Sequence, residues 1–398
     1  MTYLEQNEAM GRHIFPDLVR AFALFGIVMV NVAYFAWPGP DTYSYGGDYS
    51  ALDSAAIFTV DSLFLMKSYT LFSAMFGAGL AYQMMSAQRR GVAFAPRYFR
   101  RMLGLLLIGM AHVAFAFVGD ILIVYAAIGC LLFLFRNRSV KALRRWGYAF
   151  LIIQALVIAL FSAAFGAMEA FDPASTEEVM AEIRTQMKAS ASVYMSGSFP
   201  EVMAQRIKEY VEYAMFIIPV QGFGVIAFFL FGLAGVKSGV LENPDAPLWR
   251  KSRRIFFPIG LIISMIGAWL LVTSGNAMSG RGLFGTFAIF LGSPFSTLGY
   301  LGLIAKWSTG PMTAAKEFMA RAGTSTLTAY LMQSLILSLI FTSYGLGLFG
   351  QVSAVGCIAI AAATGLFTLS FSSLWRKRFE RGPMESVLRK WTYLSAGR

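Results

Sequence analysis

The chain has 398 residues, 57% hydrophobic and only 14% charged, with a mean hydropathy of +0.61. Soluble domains run at roughly 45–50% and about 25%, so a soluble core could not hide this much apolar surface and lipid is the expected solvent. The net charge of +12 lies in short clusters beside apolar runs, which points to headgroups and orientation and away from nucleic acid.

The first apolar run, Ala21 to Trp37, follows a mixed-charge leader without a small-x-small cleavage site and reads as a retained helix over 19–37. At its start Asp17 and Arg20 lie three residues apart on one face, either as an ion pair anchoring the helix or with Arg20 gripping a phosphate of an anionic donor. Asn31 returns to that face further on, where a buried amide needs a partner or a substrate. Residues 54–67 carry Asp61 and Lys67 among apolar side chains and predict an interfacial or partly re-entrant helix within an external loop over 38–67. The second span, 68–87, opens on the polar pair Tyr69 and Thr70, and Gly77 and Gly79 are expected to permit close helix packing.

Spans three and four, 101–118 and 121–136, contain the run LGLLLIGMAHVAFAFVGDIL. His112 sits about two-thirds of the way along, and an ionisable residue inside a span is a functional candidate by default. The bland alternative is a neutral imidazole bonded to a backbone carbonyl. Asp120 shares its helical face but on a straight helix would lie about 12 Å away, too far for a direct bond; it is equally placed to cap the following helix.

Spans over 146–168 and 213–236 bracket 169–212, the one long extramembrane insertion. Its stretch from Thr176 to Ser190 has helical periodicity and an acidic first turn, which predicts an external cap over a groove. Runs over 255–273, 282–305, 324–345 and 350–375 complete about ten. In the ninth, Tyr330, Gln333 and Ser334 share a face, as interhelical glue or as a polar lining. A basic tail over 376–398 follows.

The expected fold class is all-α: a polytopic transmembrane helical bundle of about ten spans, forming a single domain over 1–398. Of 33 Lys and Arg, 27 fall on the side of the two termini, which predicts that both are cytoplasmic. Cys130 and Cys357 lie inside apolar runs and suggest neither a disulfide framework nor a metal site. No P-loop, HExxH, GxSxG or strand-borne G-x-G-x-x-G is present, which disfavours ATP-driven pumping, zincin proteolysis and serine hydrolysis. Lipid-facing stripes rich in Phe and Leu suit a homodimer and a monomer equally.

Four segments, RHIFPDLVRAFALFGIVMVN, KSYTLFSAMFGAGLAY, RRMLGLLLIGMAHVAFAFVGDILIVYAAIG and RGPMESVLRKWTYL, resemble over essentially the whole chain the YeiB family of bacterial inner-membrane proteins. The GDIL…Y and GPxE…LRxxTY stretches are the more specific. That family is similar in organisation to transmembrane acyltransferases, among them the acyltransferase-3 proteins and heparan-α-glucosaminide N-acetyltransferase. The resemblance implies a multi-pass inner-membrane enzyme moving an acyl group, acetyl above all, from cytoplasmic acyl-CoA to an acceptor hydroxyl or amine reached from the external face. It implies acyl-CoA as co-substrate and no tightly bound cofactor.

The group's intramembrane histidine would be represented by His112, although not on the first luminal segment as in some relatives, and Ala21 stands where the family's RGFAL has glycine. On this reading Asp17, Arg20, Arg97, Arg100 and Arg101 receive the donor, and His112 acts as general base or transient acyl carrier. Asp120, Asn31, Tyr69, Tyr330, Gln333 and Ser334 position the acceptor. Two other classes stay open: a proton-coupled transporter with His112 as relay, and a noncatalytic scaffold that binds through 169–212.

Overall fold

The computed structural model describes residues 14–37 and 49–394, without the side chains of 216–220. Arg12, His13, Asp41, Asp48, the loop residues 38–48 and the tail residues 395–398 lie outside the described residues. Among the described residues there is no strand. The helices are α1 (Phe15–Ala36), α2 (Ala51–Leu63), α3 (Lys67–Arg89), α4 (Phe94–Phe115), α5 (Leu122–Leu132), α6 (Val140–Phe171), α7 (Pro173–Ser196), α8 (Phe199–Lys237), α9 (Pro247–Lys251), α10 (Phe257–Val272), α11 (Gly280–Thr309), α12 (Ala314–Ala322), α13 (Thr326–Phe341), α14 (Ala354–Arg378) and α15 (Pro383–Thr392). A π-helical turn over Ser252–Phe256 joins α9 to α10.

Local chemistry sets the starts. The side chains of Ser50, Ser139, Ser279, Thr313 and Ser353 each accept from the backbone N–H three residues on, which satisfies one of the donors a helix start leaves open. Ser198 and Glu201 close a capping box at the head of α8. There the Ser198 hydroxyl, and then its backbone N–H, hold the Glu201 carboxyl below its usual range.

Among the described residues, seven helical segments are long and apolar enough to cross a membrane, or eight if α12 and α13, bent by 82° to one another, count as one span. The chain is therefore a multi-pass membrane protein. Helix occupies each of the ten apolar runs, but α5 has 11 residues, short of the roughly 20 residues a bilayer core asks for. Hydropathy finds apolar runs; it does not measure how many of them reach across.

α1 and α11 form the centre, with 67% and 61% of their apolar windows buried, whereas α6 and α10 stand at 17% and 22%. The exposed residues on those outer helices include Ile152, Leu156, Leu160, Ile262, Ile266 and Trp269, the surface a hydrocarbon solvent would cover. Small residues bring the helices together. A Cβ on Gly267 would lie 2.6 Å from the Gly285 carbonyl, and one on Gly285 would lie 2.7 Å from the Gly267 carbonyl, so α10 and α11 touch backbone to backbone. Gly77 on α3 meets the Phe229 carbonyl of α8, and Gly232 on α8 meets the Ala74 carbonyl of α3. Gly79 does not share this role: a Cβ there would meet only Gln83 Nε2 at 4.0 Å, because it faces a cavity instead. Gly232→Val is expected to push α3 from α8 and lower stability by about 1–3 kcal/mol, read as a fall in unfolding midpoint in detergent, with Gly79→Ala near neutral.

The segment expected to be interfacial or re-entrant is α2, whose last turn is buried against α10 and α11. Val60, Asp61 and Lys67 are 2%, 2% and 1% exposed. α2 runs on into α3 through a break at Met66, the one described non-glycine residue with positive φ, at 66°. The carbonyls that the break releases are taken up by side chains: Lys67 Nζ donates to Asp61 O (3.0 Å), Tyr300 to Leu63 O (2.9 Å) and Ser293 to Met66 O (3.2 Å). Non-helical backbone at membrane depth persists only when it is satisfied in this way.

The insertion over 169–212 is helical but longer than the sequence suggests, since α7 runs from Pro173 to Ser196 behind an Asp172 cap. The turn between α7 and α8 docks on the loop after α13: Ser343 N–H donates to Tyr194 O at 2.9 Å, and the Tyr194 and Phe349 rings stack at 5.2 Å. The basic tail is likewise structured, as the end of α14 followed by α15.

Candidate functional site

The α4–α5 reversal builds the first half of the site. α4 stops at Phe115, and the His112 carbonyl accepts from both Ala116 N–H (2.9 Å) and Phe117 N–H (2.8 Å), so the chain folds back before Asp120. His112 Nδ1 and Asp120 Oδ2 are consequently 2.7 Å apart. This corrects the expectation of a separation near 12 Å, which assumed a helix continuing straight through the reversal. Asp120 also fills the capping role, because Oδ1 accepts from Ile123 N–H at 2.9 Å at the head of α5. Gly109 leaves room for it: a Cβ there would lie 2.9 Å from Asp120 Oδ1.

The two side chains are 1% and 0% exposed. With Nδ1 engaged by Asp120, Nε2 is the ring nitrogen left for another partner, and it has none. Around it stand Phe117, with its ring centroid 6.0 Å from the imidazole, and Tyr330 at 5.0 Å.

The second half is a cavity of 240 Å³ on the side of the basic clusters, lined among others by Arg20, Gln83, Tyr98, Arg101, Tyr125 and Glu385. Arg20 Nη1 also holds Asp17 at 2.6 Å. Leu105, Leu122 and Tyr125 form the inward part of the lining. Leu122 follows Asp120 by two residues, and Leu105 precedes His112 by two turns, about 10 Å along α4, so the cavity ends just short of the dyad. Tyr125, also in that lining, is bonded to Ser73 at 2.6 Å.

The structure brings His112, Asp120 and Tyr330 together, and Arg20 and Arg101 together. Other expected site residues lie elsewhere. Gln333 Nε2 donates to Thr368 at 3.2 Å and Ser334 to the Tyr330 carbonyl at 3.3 Å, which is helix-to-helix and intrahelical bonding. The Tyr69 hydroxyl lies against Gly224 beside Gln154, at the α3–α6–α8 junction, and Asn31 is half-buried on α1. Arg97 lies over the Tyr393 ring at 5.2 Å, and the Arg100 carbonyl accepts from Trp391 Nε1 at 2.9 Å; both tie α4 to the C-terminal segment outside the cavity lining.

A relative along nearly the whole length is the uncharacterized protein YxaH of Bacillus subtilis (strain 168), 32% identical over 396 residues, covering 95% of this chain and 94% of its own. The uncharacterized protein YeiB of Escherichia coli (strain K12) is 27% identical over 405 residues, with 98% of each chain covered. The chain belongs to the YeiB-like family. The family model described as a protein of unknown function (DUF418) matches residues 235–395, the stretch from the end of α8 through α15. No solved structure matches the chain.

In this YeiB-like chain the two most specific motifs have definite structural roles. GDIL is the reversal that carries Asp120 back onto His112. GPMES places Glu385 at the start of α13, where Oε1 accepts from Leu327 N–H (2.7 Å) and Thr328 N–H (3.2 Å) and Oε2 from the Thr328 hydroxyl (2.5 Å). Sequence reasoning missed Glu385, because its partners lie 58 residues away. It also missed Arg206 on α8, 2% exposed and bonded to Ser338 and Tyr344. The signal for Arg206 was available: it is one of the six Lys and Arg outside the basic clusters, and with Lys67 one of the two among them that are deeply buried.

Proposed function

We propose that the protein is a membrane-embedded acyltransferase, with its basic end in the cytoplasm, that moves an acyl group from acyl-CoA to an acceptor hydroxyl or amine arriving from the opposite face. The observation that carries this reading is the buried His112–Asp120 pair at 2.7 Å with Nε2 unengaged, next to a cavity holding Arg20 and Arg101. A volume of 240 Å³ equals about eight waters. It suits the acyl end of a thioester arm and leaves the nucleotide on the basic surface outside.

In the reaction, Nε2 takes the proton of the acceptor hydroxyl or amine as that oxygen or nitrogen attacks the thioester carbonyl. The carbon–sulfur bond then breaks, and the departing thiolate takes the proton back from Nε2. Asp120 keeps the ring in the tautomer that this transfer needs. Arg20 and Arg101 bind the donor's phosphates as anions.

The test is calorimetric binding of acetyl-CoA to the purified full chain in detergent. Saturable binding is expected, weakened about tenfold or more in Arg101→Gln, a loss of roughly 1.4 kcal/mol, with free CoA competing and unrelated nucleotides not. No binding by a folded sample overturns the reading.

A second reading, proton-coupled transport, is favoured by the helix break at Met66 with buried Asp61 and Lys67, since broken helices commonly line transport sites. Substrate flux into liposomes without chemical change would select it.

A further inference from the structure

Arg206 is a buried charge with no ion pair among the described residues. Its guanidinium is cationic, it is 2% exposed, and its hydrogen-bond partners are neutral. Nη2 donates to the Ser338 hydroxyl at 2.6 Å and the Tyr344 hydroxyl at 2.8 Å, and the Tyr194 and Tyr344 rings lie 6.0 and 5.5 Å from its centre. Glu209, the nearest acid along α8, is occupied by Ser190, Tyr194 and Gln205. Nη1 has no hydrogen-bond partner. A buried cation of this kind is strongly unfavourable until an anion joins it.

Its position gives the anion a purpose. Ser338 lies two turns beyond Tyr330 on α13, towards the end of the bundle opposite the basic clusters, so Arg206 marks that end. Tyr210, one turn along α8 on the same face, has a hydroxyl without a partner and lies within electrostatic reach of Asp120. A line of polar groups therefore runs from Arg206 past Tyr210 to His112, over about two helical turns, or roughly 12 Å along α13 from Ser338 to Tyr330. The α7–α8 turn, through Tyr194, roofs its outer end.

We propose that Arg206 Nη1 binds the phosphate of the acceptor, a phosphomonoester or phosphodiester whose hydroxyl or amine reaches inward to His112 Nε2. The word acceptor rests on the acyl-transfer reading; the phosphate site stands on Arg206 itself. Phosphate suits the fork of a guanidinium and offers the neighbouring tyrosine and serine hydroxyls further acceptors. The source is either a lipid headgroup, at the depth where α13 ends, or a soluble phosphate ester.

The experiment uses the full chain in phosphate-free maltoside detergent and follows its unfolding midpoint. Two probes are added separately: inorganic phosphate, and phosphatidylglycerol. A saturable rise of about 2–4 °C with phosphate identifies a soluble ester, and a rise with phosphatidylglycerol alone identifies a lipid headgroup. Arg206→Gln removes the rise and Arg184→Gln, at an exposed arginine, keeps it. No rise with either probe, or a rise that survives Arg206→Gln, overturns the proposal. Should Arg206→Gln fail to fold, hydrogen exchange of the wild type decides: the backbone over 199–213 slows with the binding probe, and unchanged exchange there overturns the site. Acetyl-CoA binding on the same samples separates the two proposals, since its absence beside an intact phosphate effect removes acyl transfer and leaves the anion site.

Discussion

His112→Ala is expected to lower acyl transfer by about 10²–10⁴-fold, the range a positioned proton acceptor commonly supplies, while acetyl-CoA binding and the elution profile in detergent stay as in the wild type. Binding survives because the basic cavity does not include His112. Fold survives because Asp120 still caps α5 through the oxygen that Ile123 uses. Asp120→Asn divides the two functions of that carboxylate. Its amide oxygen can keep the cap, but its NH₂ then faces Nδ1 and favours the tautomer with the proton on Nε2, where a base is needed. A comparable loss of turnover with little loss of stability is expected. Asp120→Ala should lose turnover and also about 0.5–2 kcal/mol from the missing cap. Single-turnover rates with labelled acetyl-CoA and a membrane extract as acceptor, set beside unfolding midpoints, check the series. Full turnover in His112→Ala would remove the histidine from the chemistry.

Glu385→Ala should produce the second large effect, this time on stability. The side chain accepts from two backbone N–H groups and one hydroxyl at the head of α13, and α13 begins at an 82° bend from α12, where no preceding turn can serve those donors. Leaving them unmet inside the protein costs about 1–3 kcal/mol. Because Glu385 also lines the cavity, donor binding should weaken along with it. Glu385→Gln keeps an acceptor oxygen for the backbone and removes a negative charge beside Arg20 and Arg101. Near-native stability with tighter acetyl-CoA binding is the expected contrast. Equal stability of the alanine and wild-type proteins in a denaturation series would show that the cap is dispensable.

Membrane residence and the helical content were legible because they rest on composition and local periodicity, which each segment carries by itself. The placement of His112 inside the bundle was legible for the same reason, as an ionisable residue in an apolar run. What failed was geometry beyond one helix. The 12 Å estimate for His112 and Asp120 holds on a continuous axis, and the axis ends at Phe115; a spacing rule has no knowledge of where the helix stops. The break at Met66 left no glycine or proline to announce it, since the released carbonyls are satisfied by Tyr300 and Ser293 from far along the chain. Gly77 and Gly79 look alike in sequence, yet one meets a backbone and the other a cavity, a difference decided by which face α8 covers. Arg206 was the most readable of the missed residues, as a positive charge in a segment otherwise dominated by acids.

The bond from Glu385 to Leu327 also orders events in time. The two residues are 58 positions apart, and at synthesis rates of about 5–20 residues per second several seconds separate their appearance. Throughout that interval α13, with Tyr330 on its inner face, has open amides at its head and no reason to settle at its final angle. Insertion of α14 must proceed around an unfinished neighbour, and only when Pro383–Thr392 has been made does the dyad acquire its last wall. A nascent chain halted before residue 383 would thus hold its helices in the membrane yet present the open start of α13 to whatever surveys unassembled membrane proteins.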